Sequence, residues 1–72
     1  MEIKDRIIKL LEINKEGLTI TETSNKLKIH YITASKYLAV LEAEGRIKHR
    51  DIGMAKLFRI NYDSEKAARR VK

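Results

Sequence analysis

The spacing of apolar residues changes at Gly45, and this change limits the folds open to the chain. Before Gly45 the apolar residues recur every three or four positions, as they do on one face of an amphipathic helix. After it they alternate with polar residues, as they do on a strand that buries one face. The pattern therefore predicts an α+β fold, with helices first and a β-hairpin last.

The first part of the chain is predicted to hold two helices and a short strand. The first helix runs from Glu2 to Ile13, and Gly17 beyond its end is free to take the left-handed conformation. Leu18 to Ile20 is too short for a helix and is predicted as a small strand. The second helix is short, about Glu22 to Lys28, and Thr21 is its predicted N-cap.

A third helix is predicted to begin after His30, run to about Glu44 and end at Gly45 as a C′ glycine. At 100° per residue, three apolar side chains of this helix fall within about 60° of Ala34 and form one face with it. These inward residues are Ala34, Tyr37, Leu38 and Leu41. We interpret Tyr37 as a ring of the core with an exposed hydroxyl.

The last third is predicted to form a hairpin and a tail. Residues 46–50 and 55–60 are compatible with strands, and residues 51–54 are predicted to form the turn between them. Phe58 and Ile60 share one face, which can close over the helices. The domain is thus assigned to residues 1–60. Residues 61–72 are either a basic tail or a short helix capped by Asp63 or Ser64.

Composition excludes several classes of function. The chain has 72 residues and no cysteine, so it is predicted to be one small domain without disulfides or thiolate metal sites. His30 and His49 have no metal-ligand spacing, so each is predicted to be a solvated or capping histidine and no cofactor is expected. No nucleophile–base or paired-acid arrangement can be assembled, which predicts that the protein is not an enzyme. No apolar run approaches the ~20 residues of a membrane span, so a cytoplasmic protein is expected.

Basic charge is concentrated at one end of the chain. Residues 1–45 contain seven basic and seven acidic residues, whereas residues 46–72 contain nine basic and three acidic ones, a net charge of +6. Such an asymmetry favours a polyanionic partner, nucleic acid first and an acidic membrane second. An ordinary solvated basic surface is the alternative.

The order of elements is helix, short strand, helix, tight turn, helix and hairpin, which is typical of a helix-turn-helix followed by a wing. Over residues 1–60 the chain resembles winged helix-turn-helix transcriptional regulators, in particular small archaeal ones and the short bacterial pilus-operon regulators. The resemblance depends on three stretches, namely Leu27-x-Ile29, then Tyr31-x-x-Ala34-x-x-Tyr37-Leu38-x-x-Leu41-Glu42-x-Glu44-Gly45, and Arg50 with Gly53-Met54-Ala55-x-x-Phe58. Lys28 stands where many relatives have glycine, which predicts a positive φ. Thr23 and Ser24 stand where relatives have apolar residues, which predicts weaker packing of the second helix.

The resemblance implies a transcriptional regulator that binds double-stranded DNA, with the third helix in the major groove. The residues then expected to reach base edges are Tyr31, Ile32, Thr33, Ser35 and Lys36. Those expected to contact phosphates or the minor groove are Thr21, His30, Lys48, Arg50 and Lys56.

Other interpretations stay open. The outer side of the third helix also carries apolar residues, Ile32, Ala39, Val40 and Ala43, so the same fold could dock on a protein partner or co-regulator. RNA or left-handed duplex is a third possible ligand of this face. A homodimer formed by the first helix and the C-terminal segment is expected, since regulators of this size often bind two half-sites.

Overall fold

A computed structural model describes residues 2–62 of the chain. Three helices are followed by a two-stranded antiparallel hairpin, which confirms the α+β class. The elements are α1 (Ile3–Ile13), α2 (Ile20–Leu27), α3 (Tyr31–Ala43), β1 (Ile47–Ile52) and β2 (Ala55–Ile60). The predicted alternatives for the C-terminal segment, including a cap at Asp63 or Ser64, lie outside the described residues.

The core is built from α1, α3 and the inner face of the hairpin. Its buried apolar residues are Ile7, Leu11, Leu18, Ala34, Leu38, Leu41, Ile47 and Phe58. The predicted inward face of α3 is confirmed, since Ala34, Leu38 and Leu41 have no exposed surface. Tyr37 is half-buried and packs against this cluster, as expected for a ring at the edge of the core.

The predicted N-cap of the second helix is wrong by two residues. Thr19 caps α2, because its Oγ1 accepts from the amide N of Glu22 at 3.1 Å. The Glu22 carboxylate in turn accepts from the amide N of Thr19 at 2.9 Å, which completes a capping box. Thr21 lies exposed in the first turn instead. The Thr-x-x-Glu spacing carries the signal for a capping box, and Thr21 has Ser24 in place of the glutamate.

The predicted small strand is reduced to one residue pair. Leu18 and Phe58 form an antiparallel bridge, with N–H···O distances of 2.9 and 2.8 Å. The prediction that Leu18–Ile20 form a strand is wrong beyond Leu18, because Thr19 and Ile20 already belong to the cap and first turn of α2. The bridge nevertheless attaches the segment before α2 to the hairpin.

Thr23 and Ser24 are buried even though both are polar. The hydroxyl of Thr23 donates to the carbonyl of Thr19 at 2.8 Å, and that of Ser24 donates to the carbonyl of Thr21 at 2.9 Å. Each hydroxyl is therefore satisfied within its own helix, which removes most of the cost of burying it.

The turn between α2 and α3 has the predicted positive φ. Lys28 adopts φ 57° and ψ 44°, the left-handed region that a residue with a Cβ enters at a cost. Its amide N donates back to α2, and the guanidinium of Arg6 donates to the carbonyl of Leu27 at 3.1 Å. Arg6 thus attaches α1 to the C-terminal end of α2. At the end of α3, Gly45 has φ 79° and closes the helix as predicted.

The hairpin is longer than predicted. The expected four-residue turn is wrong, since Ile52 pairs with Ala55 and leaves only Gly53 and Met54 in the turn. Gly53 has φ 59°, which suits a two-residue hairpin turn with glycine first. The first strand begins at Ile47, one residue later than expected.

Candidate nucleic-acid interface

The N-terminal half of α3 presents one side to solvent. Of the five residues predicted to contact bases, Tyr31, Ile32 and Lys36 are exposed, whereas Thr33 and Ser35 are half-buried. Ile32 keeps 72% of its surface exposed. The ammonium of Lys36 lies 5.8 Å from the centroid of the Tyr37 ring, close enough for a cation–π contact. The exposed side of α3 therefore combines one cation, one phenol and one large apolar side chain.

A cleft of about 460 Å³ lies between the N-terminal ends of α2 and α3 and the tip of the hairpin. It is lined by Thr19, Ile20, Thr21, Tyr31, Met54, Ala55 and Lys56. Three residues predicted to contact DNA meet here, namely Thr21, Tyr31 and Lys56. Two hydroxyls and an ammonium are suitable donors to a phosphate. Thr21 lines this cleft although it does not cap the helix.

The hairpin cations do not form one group. The register pairs His49 with Phe58 and Asp51 with Lys56, and these residues alternate with the outer pairs Lys48–Arg59 and Arg50–Leu57. Phe58 is buried, so its face of the ribbon is the one that meets the helices. Lys56 therefore lies on the helix side, whereas Lys48 and Arg50 lie on the other.

Arg59 is a cation that the sequence-based prediction missed. It is exposed and stands opposite Lys48 on the outer face. Alternation along the second strand would have found it, because Arg59 falls between Phe58 and Ile60, which were both predicted to point inward. The outer face thus holds three basic residues, Lys48, Arg50 and Arg59.

Charge is distributed unevenly between the two ends of α3. Two acids lie at its C-terminal end, Glu42 in the last turn and Glu44 at the C-cap, and each has a cationic or histidine partner. Glu44 pairs with Lys4 at 2.7 Å, and Glu42 accepts from Nδ1 of His49. The first turn of α3 contains no acid, so the positive end of the helix dipole is not offset there. The hairpin, residues 46–60, adds five basic residues against one acidic.

The two histidines have different surroundings. His49 was predicted to be solvated or to cap a helix, and this is wrong. It is half-buried between Glu42 and the hairpin, with Nε2 3.8 Å from the Asp51 carboxylate and its ring 5.3 Å from that of Phe58. His49 lies there because it shares the helix-facing side of the ribbon with Phe58. His30 is exposed at the N-cap position of α3 and makes no side-chain cap there.

Two general features of residues 2–62 bear on the possible chemistry. Within that range no three histidine or carboxylate side chains come together in a way that could hold a metal ion. None of the helices within the same range is long and apolar enough to cross a membrane.

At the tip of the hairpin the sequence predicted only a turn. It carries Met54, whose relative exposure is 106%, and Ile52, which is 48% exposed. Both lie beyond the region where the hairpin contacts the core, and Met54 also lines the cleft.

Comparison of the chain with models of protein families, with curated proteins and with solved structures gave no match.

Proposed function

We propose that the protein is a winged helix-turn-helix regulator of transcription that binds double-stranded DNA, with α3 in the major groove and the hairpin as its wing. The observation that carries the proposal is the cleft shared by Thr21, Tyr31 and Lys56 beside the exposed side of α3. Donors from three separate elements converge there, next to a helix whose first turn has no acid. A phosphate strand lying in the cleft would bring the neighbouring base edges to α3.

The exposed residues of α3 have distinct roles in this arrangement. The major groove is about 12 Å wide and admits a helix. Ile32 is suited to contact a thymine methyl group, and Lys36 to donate to guanine O6 and N7 or to a phosphate. Thr33 and Ser35 are half-buried, so they contribute at the edge of the contact.

The hairpin supplies most of the electrostatic attraction. Lys56 on the helix side meets the same phosphate strand as Thr21 and Tyr31. Arg50, on the opposite face, reaches the phosphates of the other strand. Each neutralised phosphate adds about 0.9 to the slope of log affinity against log salt on duplex DNA.

Fluorescence anisotropy of a labelled random-sequence duplex, titrated at several salt concentrations, tests the proposal. We expect log affinity to fall linearly with log salt with a slope of several. Lys56→Ala is expected to reduce that slope by about 0.9. The matched control is Lys9→Ala, an exposed lysine on α1 outside the cleft, which should leave the slope unchanged. Absence of binding at low salt would overturn the proposal.

A protein-binding role of the same α3 face is the second candidate, favoured by the exposure of Ile32 and Val40. Val40→Lys separates the two functions, because an added cation should tighten binding of DNA but disrupt an apolar protein contact. Tighter DNA binding supports the regulator. Unchanged or weaker DNA binding by a folded variant would favour the protein partner.

A further inference from the structure

His49 joins α3 to the hairpin through two carboxylates. Its Nδ1 contacts the carboxylate of Glu42 in the last turn of α3, and its Nε2 lies 3.8 Å from the carboxylate of Asp51 on β1. The ring also packs against Phe58 on the opposite strand. A neutral imidazole has one N–H donor, whereas an imidazolium donates from both nitrogens. His49 can therefore donate to both carboxylates only when it is protonated.

The charged groups around this histidine come from several elements. Helix α3 contributes Glu42, β1 contributes Asp51, and β2 places Lys56 opposite Asp51 on the same face of the hairpin. The other acid at this end of α3, Glu44, is held by Lys4 of α1 at 2.7 Å. Of the hairpin residues 47–60, only Asp51 is acidic, so it is the one carboxylate that both the histidine and Lys56 can use.

Asp51 lies between these two partners. In the structure its carboxylate is paired with His49, and no ion pair among residues 2–62 joins it to Lys56. Residues directly opposite on an antiparallel pair have Cβ atoms about 4.5–5.5 Å apart, so the Lys56 ammonium can reach Asp51 once His49 no longer holds it. Lys56 also lines the cleft beside α3. The choice of partner by Asp51 thus decides whether that cleft offers an unpaired cation.

We propose that His49 is a proton-controlled switch on this cleft; the inference rests on the proposed function. Protonated His49 holds Glu42 and Asp51 together, which leaves the Lys56 ammonium for a phosphate of DNA. Neutral His49 keeps one donor, so Asp51 turns to Lys56 and the cleft loses its cation. DNA then binds the protonated form more tightly. By linkage, affinity falls as the pH rises through the range in which histidine loses its proton, about pH 5 to 8.

Anisotropy titrations of the labelled duplex at one salt concentration, from about pH 5.5 to 8.5, measure the switch. We expect the wild type to lose roughly two- to fivefold in affinity as the pH rises, which corresponds to one exposed ion pair. Asp51→Asn removes the acid for which His49 and Lys56 compete, and His49→Gln removes the titrating ring. Each should bind with nearly the same affinity across the range. The matched control is His30→Gln, which removes the exposed histidine at the N-cap of α3 and should keep the loss.

The salt slope gives a second measurement that a merely structural role of His49 would not change. Lys56→Ala should reduce the slope by about 0.9 at the acidic end of the range, where the ammonium contacts a phosphate. At the alkaline end Asp51 already holds Lys56, so the same substitution should reduce the slope by much less. In the Asp51→Asn background the reduction should be equal at both ends.

The outcomes separate the switch from the proposed function. Wild-type binding that does not depend on pH overturns the switch and leaves DNA binding intact, as does a loss that persists in Asp51→Asn. Disappearance of the loss in His30→Gln would move the proton to the start of α3 and overturn the switch as well. A wild-type protein that binds no duplex at any pH overturns both. Thermal unfolding at each pH verifies the fold, and Asp51→Asn alters an exposed side chain if His49→Gln does not fold.

Discussion

Helix α2 and the surface formed by α3 and the hairpin tip depart from the usual placement of side chains in opposite ways. On α2 the buried positions are occupied by hydroxyls, those of Thr23 and Ser24. On α3 and the tip, large apolar side chains, Ile32 and Met54, face solvent. Buried polar groups and exposed apolar patches are the placements that require an explanation in a folded protein.

The buried hydroxyls are explained by contacts within the chain, whereas the exposed apolar side chains are not. Each buried hydroxyl of α2 donates to a carbonyl three or four residues earlier in its own helix, so nothing outside the chain is required. Ile32 and Met54 have no comparable cover among residues 2–62. The proposed function assigns the cover of such side chains to a partner, and it therefore depends on this side of the molecule.

The largest expected effect contrasts a buried and an exposed apolar residue of α3. Leu41→Ala should lower the free energy of unfolding by about 2–5 kcal/mol, because it leaves a cavity in the core. Ile32→Ala should change it by less than about 0.5 kcal/mol, because the side chain is largely solvated. Urea denaturation measures both. Equal losses in the two variants would mean that Ile32 belongs to the core and would break the comparison.

The N-terminal end of α2 is expected to respond next. Thr19→Ala removes the hydroxyl that accepts from the amide of Glu22 and should cost about 1 kcal/mol of stability. Thr21→Ala is the matched control, since Thr21 lies in the first turn and Ser24 bonds only to its backbone carbonyl. We expect a change below about 0.5 kcal/mol for the control. Chemical denaturation measures both losses. If Thr21→Ala proved more destabilising than Thr19→Ala, Thr21 would be the N-cap.

The C-terminal end of α2 should gain stability from a glycine. Lys28→Gly relieves the left-handed backbone, worth about 1–2 kcal/mol, against a loss of about 0.5–1 kcal/mol for the greater freedom of glycine in the unfolded chain. The expected result is a gain of up to about 1.5 kcal/mol in the free energy of unfolding, measured by thermal denaturation. Lys26→Gly places the same glycine inside the last turn of α2 and should cost about 1 kcal/mol. Destabilisation by both variants would contradict strain at Lys28.

The smallest expected effect tests whether the buried hydroxyls of α2 matter to stability. Thr23→Val should change the free energy of unfolding by less than about 0.5 kcal/mol, because the Thr19 carbonyl keeps the bond from the Thr23 amide at 2.9 Å. Thr23→Ser keeps the hydroxyl, loses a buried methyl group and should cost about 0.8 kcal/mol. If Thr23→Val lowers the free energy of unfolding more than Thr23→Ser does, the hydroxyl contributes more to stability than its hydrogen bond to the Thr19 carbonyl implies.

Much of the fold followed from local patterns. The inward face of α3, its end at Gly45 and the positive φ at Lys28 were all predicted and are all confirmed. The Thr-x-x-Glu spacing of the capping box was present in the sequence, but the prediction placed the cap at Thr21. The alternation of side chains along the hairpin also predicts that Arg50 and Lys56 lie on opposite faces. Lys56 is two residues before Phe58 and therefore shares its inward face, whereas Arg50 pairs with Leu57 on the other face.

The sequence by itself determined the elements, the core and the excess of basic charge on the hairpin, because spacing, caps and glycines act over a few residues. Only the tertiary structure decided that Thr21, Tyr31 and Lys56 line one cleft and that Met54 lies exposed at its edge. These relations join residues up to 35 positions apart. They depend on how the helices and the hairpin pack on a shared core, which no local pattern specifies.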